Sequence, residues 1–122
     1  MLTVGALIGP LGLASANAAG EITYHPAFYA AQGLAVMGGH LRYRCRSSRP
    51  DAIAAVAGTD REGNRVAWIA NLTGQNQVIM LGEMVLSRIH VLDEESFAQP
   101  RAVSADVSSI ELRPYAVACL ML

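Results

Sequence analysis

Histidine and cysteine are the side chains that most readily change charge or attack a substrate near neutral pH, and the 122-residue chain carries His25, His40, His90, Cys45 and Cys119. Metal sites reveal themselves in sequence by close ligand pairs, and the chain has neither a C-x-x-C nor an H-x-x-x-H type pair, so no metal ligand is assigned. Each cysteine lies in an apolar or alternating segment. Two readings stay open for them, buried free thiols or a Cys45–Cys119 disulfide. Acid–base chemistry on a sugar needs two carboxylates facing one another across it. The acids here do not offer such a pair: Asp51, Asp60 and Glu62 fall in predicted turns, Asp93-Glu94-Glu95 opens a predicted loop, and Glu111 stands beside Leu112 in a predicted strand. There is no G-x-S-x-G nucleophile elbow and no phosphate-cradling glycine loop. Catalytic, cofactor-binding and metal residues are therefore all assigned as none, and no cofactor is expected. Asn71-Leu72-Thr73 is a glycosylation sequon that would matter only in a glycosylating secretory pathway; otherwise it reads as a strand end followed by a turn.

The chain is about one domain long, enough for one core that buries roughly two thirds of the surface an unfolded chain exposes. It is 52% hydrophobic and only 16% charged, with a net charge of -1. So little charge argues against disorder and leaves little to cover an independent surface, which implies that part of the chain packs against something outside it. All nine basic residues are arginine. Arg42, Arg44 and Arg46 fall on alternate positions and, with Arg49, read as a solvated strand face rather than a nucleic-acid footprint, because the chain as a whole is not basic. No nucleic-acid partner is expected. After residue 19 no uninterrupted apolar run reaches the roughly 18 to 20 residues of a membrane span, so no membrane partner is expected either.

Residues 1–19 admit two readings. Val4 to Ile8, closed by Gly9-Pro10, is a short buried strand running into a loop; alternatively, the small residues Ala16-Asn17-Ala18 after an apolar run resemble a signal-peptide end, although no basic residue precedes them. The first reading goes with a cytoplasmic protein and the second with a secreted one. From Pro26 to Met37 the spacing of Phe28, Ala31, Leu34, Ala35 and Gly38 predicts a helix face, with Pro26 in the first turn, His25 placed to cap it, and Gly38-Gly39 ending it. Beyond Gly39, strands recur every eight to ten residues: Leu41 to Ser47, Ala52 to Thr59, Arg65 to Leu72, Gln77 to Leu81, Val85 to Leu92, Val107 to Leu112 and Tyr115 to Met121. Asp60 to Asn64 is a hairpin loop. Val66, Trp68 and Ala70 share one face of the third strand and Ala67, Ile69 and Asn71 the other, with Trp68 as the expected largest core anchor. Asp93 to Ala105 reads as a long surface connection, and Pro114 interrupts the last two strands. The fold class is mainly β, an antiparallel β-sandwich preceded by a strand, a loop and a helix.

The order of these parts, a helix opening with Tyr24-His25-Pro26-Ala27-Phe28-Tyr29, then Val66-Ala67-Trp68-Ile69-Ala70-Asn71-Leu72-Thr73 and a close on Leu112-Arg113-Pro114-Tyr115-Ala116-Val117-Ala118, resembles the C-terminal end of (β/α)₈-barrel hydrolases, most closely the D-apionate lactonase family. Gly5 to Gly12 is similar to that family's last barrel strand and loop. The resemblance implies that residues 1–39 are the last strand and helix of a barrel and 40–122 a C-terminal sandwich domain. It further implies a parent enzyme that hydrolyses a sugar-acid lactone with acids on earlier barrel strands, so that this chain alone is inactive and its partners are the catalytic barrel and, through it, the carbohydrate substrate. Three other readings remain: the C-terminal domain of a retaining glycoside hydrolase, a stand-alone carbohydrate-binding module, or a secreted structural sandwich. A binding module needs exposed aromatics, whereas most of the seven aromatic residues fall at positions predicted to face a core.

Overall fold

The computed structural model describes residues 12–82, 84–96, 101–103 and 108–122. The strand expected at Val4 to Ile8 lies outside them. The elements are β1 (Ala14–Ala16), β2 (Ile22–Tyr24), α1 (Pro26–Val36), β3 (Arg42–Tyr43), β4 (Ile53–Thr59), β5 (Arg65–Asn71), β6 (Gln77–Met80), β7 (Arg88–Leu92), β8 (Arg101–Val103), β9 (Ser109–Leu112) and β10 (Val117–Met121). Six strands form one antiparallel sheet in the order β3-β4-β5-β10-β7-β8, β6 and β9 form a second, and β1 and β2 form a separate hairpin.

Strict alternation along β5, β7 and β10 decides which side of the large sheet is dry. Ile69 pairs with Ala118 and Ala118 with Val91; Ala67 pairs with Leu120 and Leu120 with Ile89. These residues face one way, as strand geometry requires of positions two apart. Against them sit Ile110 and Leu112 of β9, with Leu81 and Leu86 from the loops, in one continuous apolar cluster. Ile89, Leu112, Ala118 and Leu120 are wholly excluded from solvent. The sandwich expected from strand rhythm is present, and its core is aliphatic.

Trp68 lies on the opposite face, beside Cys119 and His90 across the sheet, and is half-buried. The expectation that it anchors the sandwich core is therefore corrected: the two faces of β5 were separated properly, but the core took Ala67, Ile69 and Asn71. Helix α1 covers the Trp68 face. A Cβ on Gly33 would overlap the benzo ring of Trp68, so only glycine lets the helix come this close. The helix residues that line the space left between it and the sheet are Tyr29, Gln32, Gly33 and Val36. The expected face of Phe28, Ala31, Leu34 and Ala35 is turned by about one position, and Phe28 instead stacks on Tyr24 of the hairpin at 4.2 Å. An almost wholly apolar helix carries no strong periodic signal, which is why spacing alone chose the wrong face.

Pro26 opens α1, His25 occupies the N-cap position without a side-chain capping bond, and Met37 closes it. Met37 is 1% exposed, and its Cε lies against Gly58 of β4, tying the helix end to the sheet. Gly39, at φ +77, makes the left-handed exit.

Three further expectations change. The arginine strand is only Arg42–Tyr43, so Arg44, Arg46 and Arg49 lie on an exposed irregular segment rather than on one strand face. The segment Asp93 to Ala105 is not a plain surface loop: Asp93 and Ser96 are buried, and β8 adds an edge strand to β7. The β1–β2 hairpin was not anticipated. Its turn is held by Asn17, whose Oδ1 accepts from the amides of Ala19 and Glu21 at 2.9 and 3.0 Å.

Candidate functional site

Between α1 and the large sheet lies a cavity of about 260 Å³. Tyr29, Gln32, Gly33 and Val36 roof it, while Trp68, His90, Leu92 and Cys119 form its floor. One side chain here, Cys119, could in principle act as a nucleophile, and burial restrains it. Burial pushes the Cys119 thiol up to about 11, so it is protonated at neutral pH and is no nucleophile. The Nε1–H of Trp68 is buried without an acceptor. Both cysteines are free rather than paired, but the burial expected of them is not found: Cys45 is exposed and Cys119 only half-buried.

The acids singled out by sequence, Asp51 apart, are held by local partners. Asp60 organises the hairpin loop: its Oδ1 accepts from the amides of Glu62 and Asn64 at 2.9 and 2.8 Å, and its Oδ2 from the Asn64 side chain at 2.9 Å. Those bonds, the Asn64 side chain first, hold its carboxyl below the usual carboxylate range. Asp93 caps a turn through Oδ1, accepting from the amides of Glu95 and Ser96 at 3.0 Å. Arg113 reaches Glu95 at 2.6 Å and Glu94 at 3.5 Å. Glu111 accepts from Asn76 at 2.7 Å, and Asp51 is exposed in the turn before β4. His25, His40 and His90 stand on the helix N-cap, the loop after α1 and β7. Among the described residues no three His, Cys, Asp or Glu side chains gather as a metal site.

Two features that residue types did not flag organise one end of the sandwich. Asn71 is 2% exposed, and its Nδ2 donates toward the carbonyls of Gln75, Arg113 and Leu112 at 2.7, 2.8 and 3.1 Å. Its Oδ1 accepts from the amide and hydroxyl of Thr73 at 2.9 and 2.8 Å. The sequon asparagine is thus a buried clamp between two loops, and in the folded chain its amide is closed to glycosylation. The clamped partner loop is a turn, Arg113-Pro114-Tyr115-Ala116, closed by Ala116 N–H to Arg113 O at 3.1 Å. Tyr115, at its second corner, has φ 57, a left-handed conformation that costs an ordinary L residue about 1–2 kcal/mol. The residue is 70% exposed and its hydroxyl lies over Gly74. The only sequence signal was Pro114, which favours the first corner of such a turn. The expectation that most aromatics face a core is also overturned: Tyr24, Tyr43 and Tyr115 are exposed, and Phe28, Tyr29 and Trp68 are half-buried.

The described chain is an antiparallel sandwich with one helix and one hairpin ahead of it. It is similar to part of the catalytic domain of the GH30 xylanase C from Talaromyces cellulolyticus, with a TM-score of 0.67 at 15% identity over 91% of this chain and 27% of that one. It is also similar to a conserved exported protein from Bacteroides fragilis, at 0.64 and 15% over the same shares, and to the GH51 arabinofuranosidase from Xanthomonas axonopodis pv. citri, at 0.53 and 10% over 97% of this chain and 30% of that one. The chain thus spans under a third of the length of these structures. A comparison with curated protein sequences finds no match. The chain belongs to the family of the D-apionate lactonase C-terminal immunoglobulin-like domain, whose model matches residues 50–120, more than half of its length. No helix among the described residues is long and apolar enough to cross a membrane.

Proposed function

We propose that the chain is the non-catalytic C-terminal lobe of a lactonase whose catalytic (β/α)₈ domain hydrolyses the lactone of a branched sugar acid, and that residues 12–39 belong structurally to the seam between the two. The observation that carries this reading is helix α1. It has eleven residues, none charged and none buried within the chain. Beside it Ile22 is 63% exposed and Tyr24 43%, around an apolar hollow of about 300 Å³ lined by Leu13, Ala14, Ala16 and Phe28. A solvent-facing helix normally carries charge on its outer stripe. A helix without charge on any side, and with Gln32 and Tyr29 as its only polar side chains, is one meant to be covered on two sides, and the sandwich covers only the Gly33 side. Membership of a family named for a C-terminal domain, and the share of the structural neighbours left unmatched, support a catalytic domain as the cover.

The test compares this chain with a polypeptide that includes the catalytic domain. The longer protein hydrolyses a D-apionate lactone and this chain alone does not; Leu34→Asp in the longer protein weakens domain association and lowers its melting temperature. Turnover by the purified chain that vanished on changing one of its own carboxylates would sink the proposal.

A further inference from the structure

We propose that Tyr115 is the stacking platform of a carbohydrate-binding surface, separate from α1, that takes a neutral chain of pyranose sugars. The second corner of the Arg113–Ala116 turn demands positive φ, and glycine or asparagine normally fills it. Here the position holds a bulky aromatic residue that gains little burial in return, being 70% exposed. Strain that packing does not recover is characteristic of positions held for a function. The surroundings hold the ring in place: Tyr115 N–H donates to Thr73 O at 3.2 Å, the ring hydroxyl lies over Gly74, and Asn71 locks both loops from beneath.

The chemistry around the ring points to sugar. A phenol face matches the C–H face of a pyranose, and the exposed side chain of Gln75 follows Gly74 on the loop the ring lies over, where it can meet rim hydroxyls, with the Asn76 amide bonded to Glu111 beside it. The nearby arginine, Arg113, is paired with Glu94 and Glu95, and the other charge beside the loop is the Glu111 carboxylate held by Asn76, so among the described residues no free cation there selects an acidic sugar. The site does not depend on the docking reading above.

Native electrophoresis of the chain through gels containing soluble neutral arabinoxylan, or soluble mixed-linkage glucan, tests it. At least one polysaccharide retards the chain. Tyr115→Ala weakens the apparent affinity about fivefold, the scale of one aromatic stacking contact, while Tyr115→Phe retains it. Tyr115→Gly loses retardation without a fall in melting temperature, because glycine accepts the positive φ freely; a purely structural tyrosine would give the opposite, a lower melting temperature. Unretarded migration in both gels, or equal retardation of the wild type and Tyr115→Ala, overturns the proposal. So does a Tyr115→Ala chain that keeps its retardation but binds a separately supplied catalytic domain more weakly, which would make the surface a domain interface.

Discussion

The two halves of the molecule use similar residues to opposite ends. Between β4 and β10, alternating aliphatic residues meet across strands and disappear from solvent, with Ile89, Leu112, Ala118 and Leu120 at 0% exposure. In residues 12–38 the composition is just as apolar, yet α1 buries none of its own residues, and Met37, 1% exposed, is its one deep anchor. The difference teaches that hydrophobicity sets how much surface wants cover, whereas register sets whether the chain can cover itself. A strand with neighbours on both sides completes its own core; a lone helix on one sheet face can satisfy only one of its sides.

The sharpest way to break this comparison is a pair of truncations. Leu120→Ala is expected to destabilise the isolated chain by about 2–5 kcal/mol in denaturant unfolding, because it empties a fully enclosed site. Leu34→Ala is expected to stay below about 1 kcal/mol, since that side chain is already partly solvated. Equal losses would mean that α1 is as much part of the core as β10. Next in size is Asn71→Ala, which strands the carbonyls of Gln75, Leu112 and Arg113 at once and should destabilise by about 2–3 kcal/mol.

A smaller effect probes the seam. Gly33→Leu drives the helix off Trp68, and because Trp68 is the sole tryptophan its emission should shift to the red while the unfolding midpoint moves little. An unshifted spectrum would show that the helix is not held there. Smallest is the contrast between the two thiols. At pH 8 Cys45 should react with a thiol reagent and Cys119 should not, since burial holds the latter protonated up to about 11. Cys119 also gives a pH signature: its raised folded-state value means a stabilising contribution intact below the ordinary thiol value of 9.0 and lost as pH climbs from there toward about 11. Asp60 acts at the other end of the scale. Its lowered value contributes stability above the ordinary carboxylate range, and that contribution fades as acid protonates the loop.

Period-two alternation determined most of the sandwich by itself. Ile53–Thr59, Arg65–Asn71 and Gln77–Met80 fall within a residue of their expected spans, because two-faced strands and a glycine-bearing hairpin are local signals. The helix was equally legible, since Pro26 and Gly39 mark its ends chemically. Which face of β5 became the core was not, because Val66, Trp68 and Ala70 are as apolar as Ala67, Ile69 and Asn71. Only the arrival of β9 over one face and α1 over the other separated them. The clamp at Asn71 and the strained corner at Tyr115 were likewise decided in tertiary space: Asn71 makes its bonds to residues some forty positions away at Leu112 and Arg113, a distance over which sequence spacing carries no geometry.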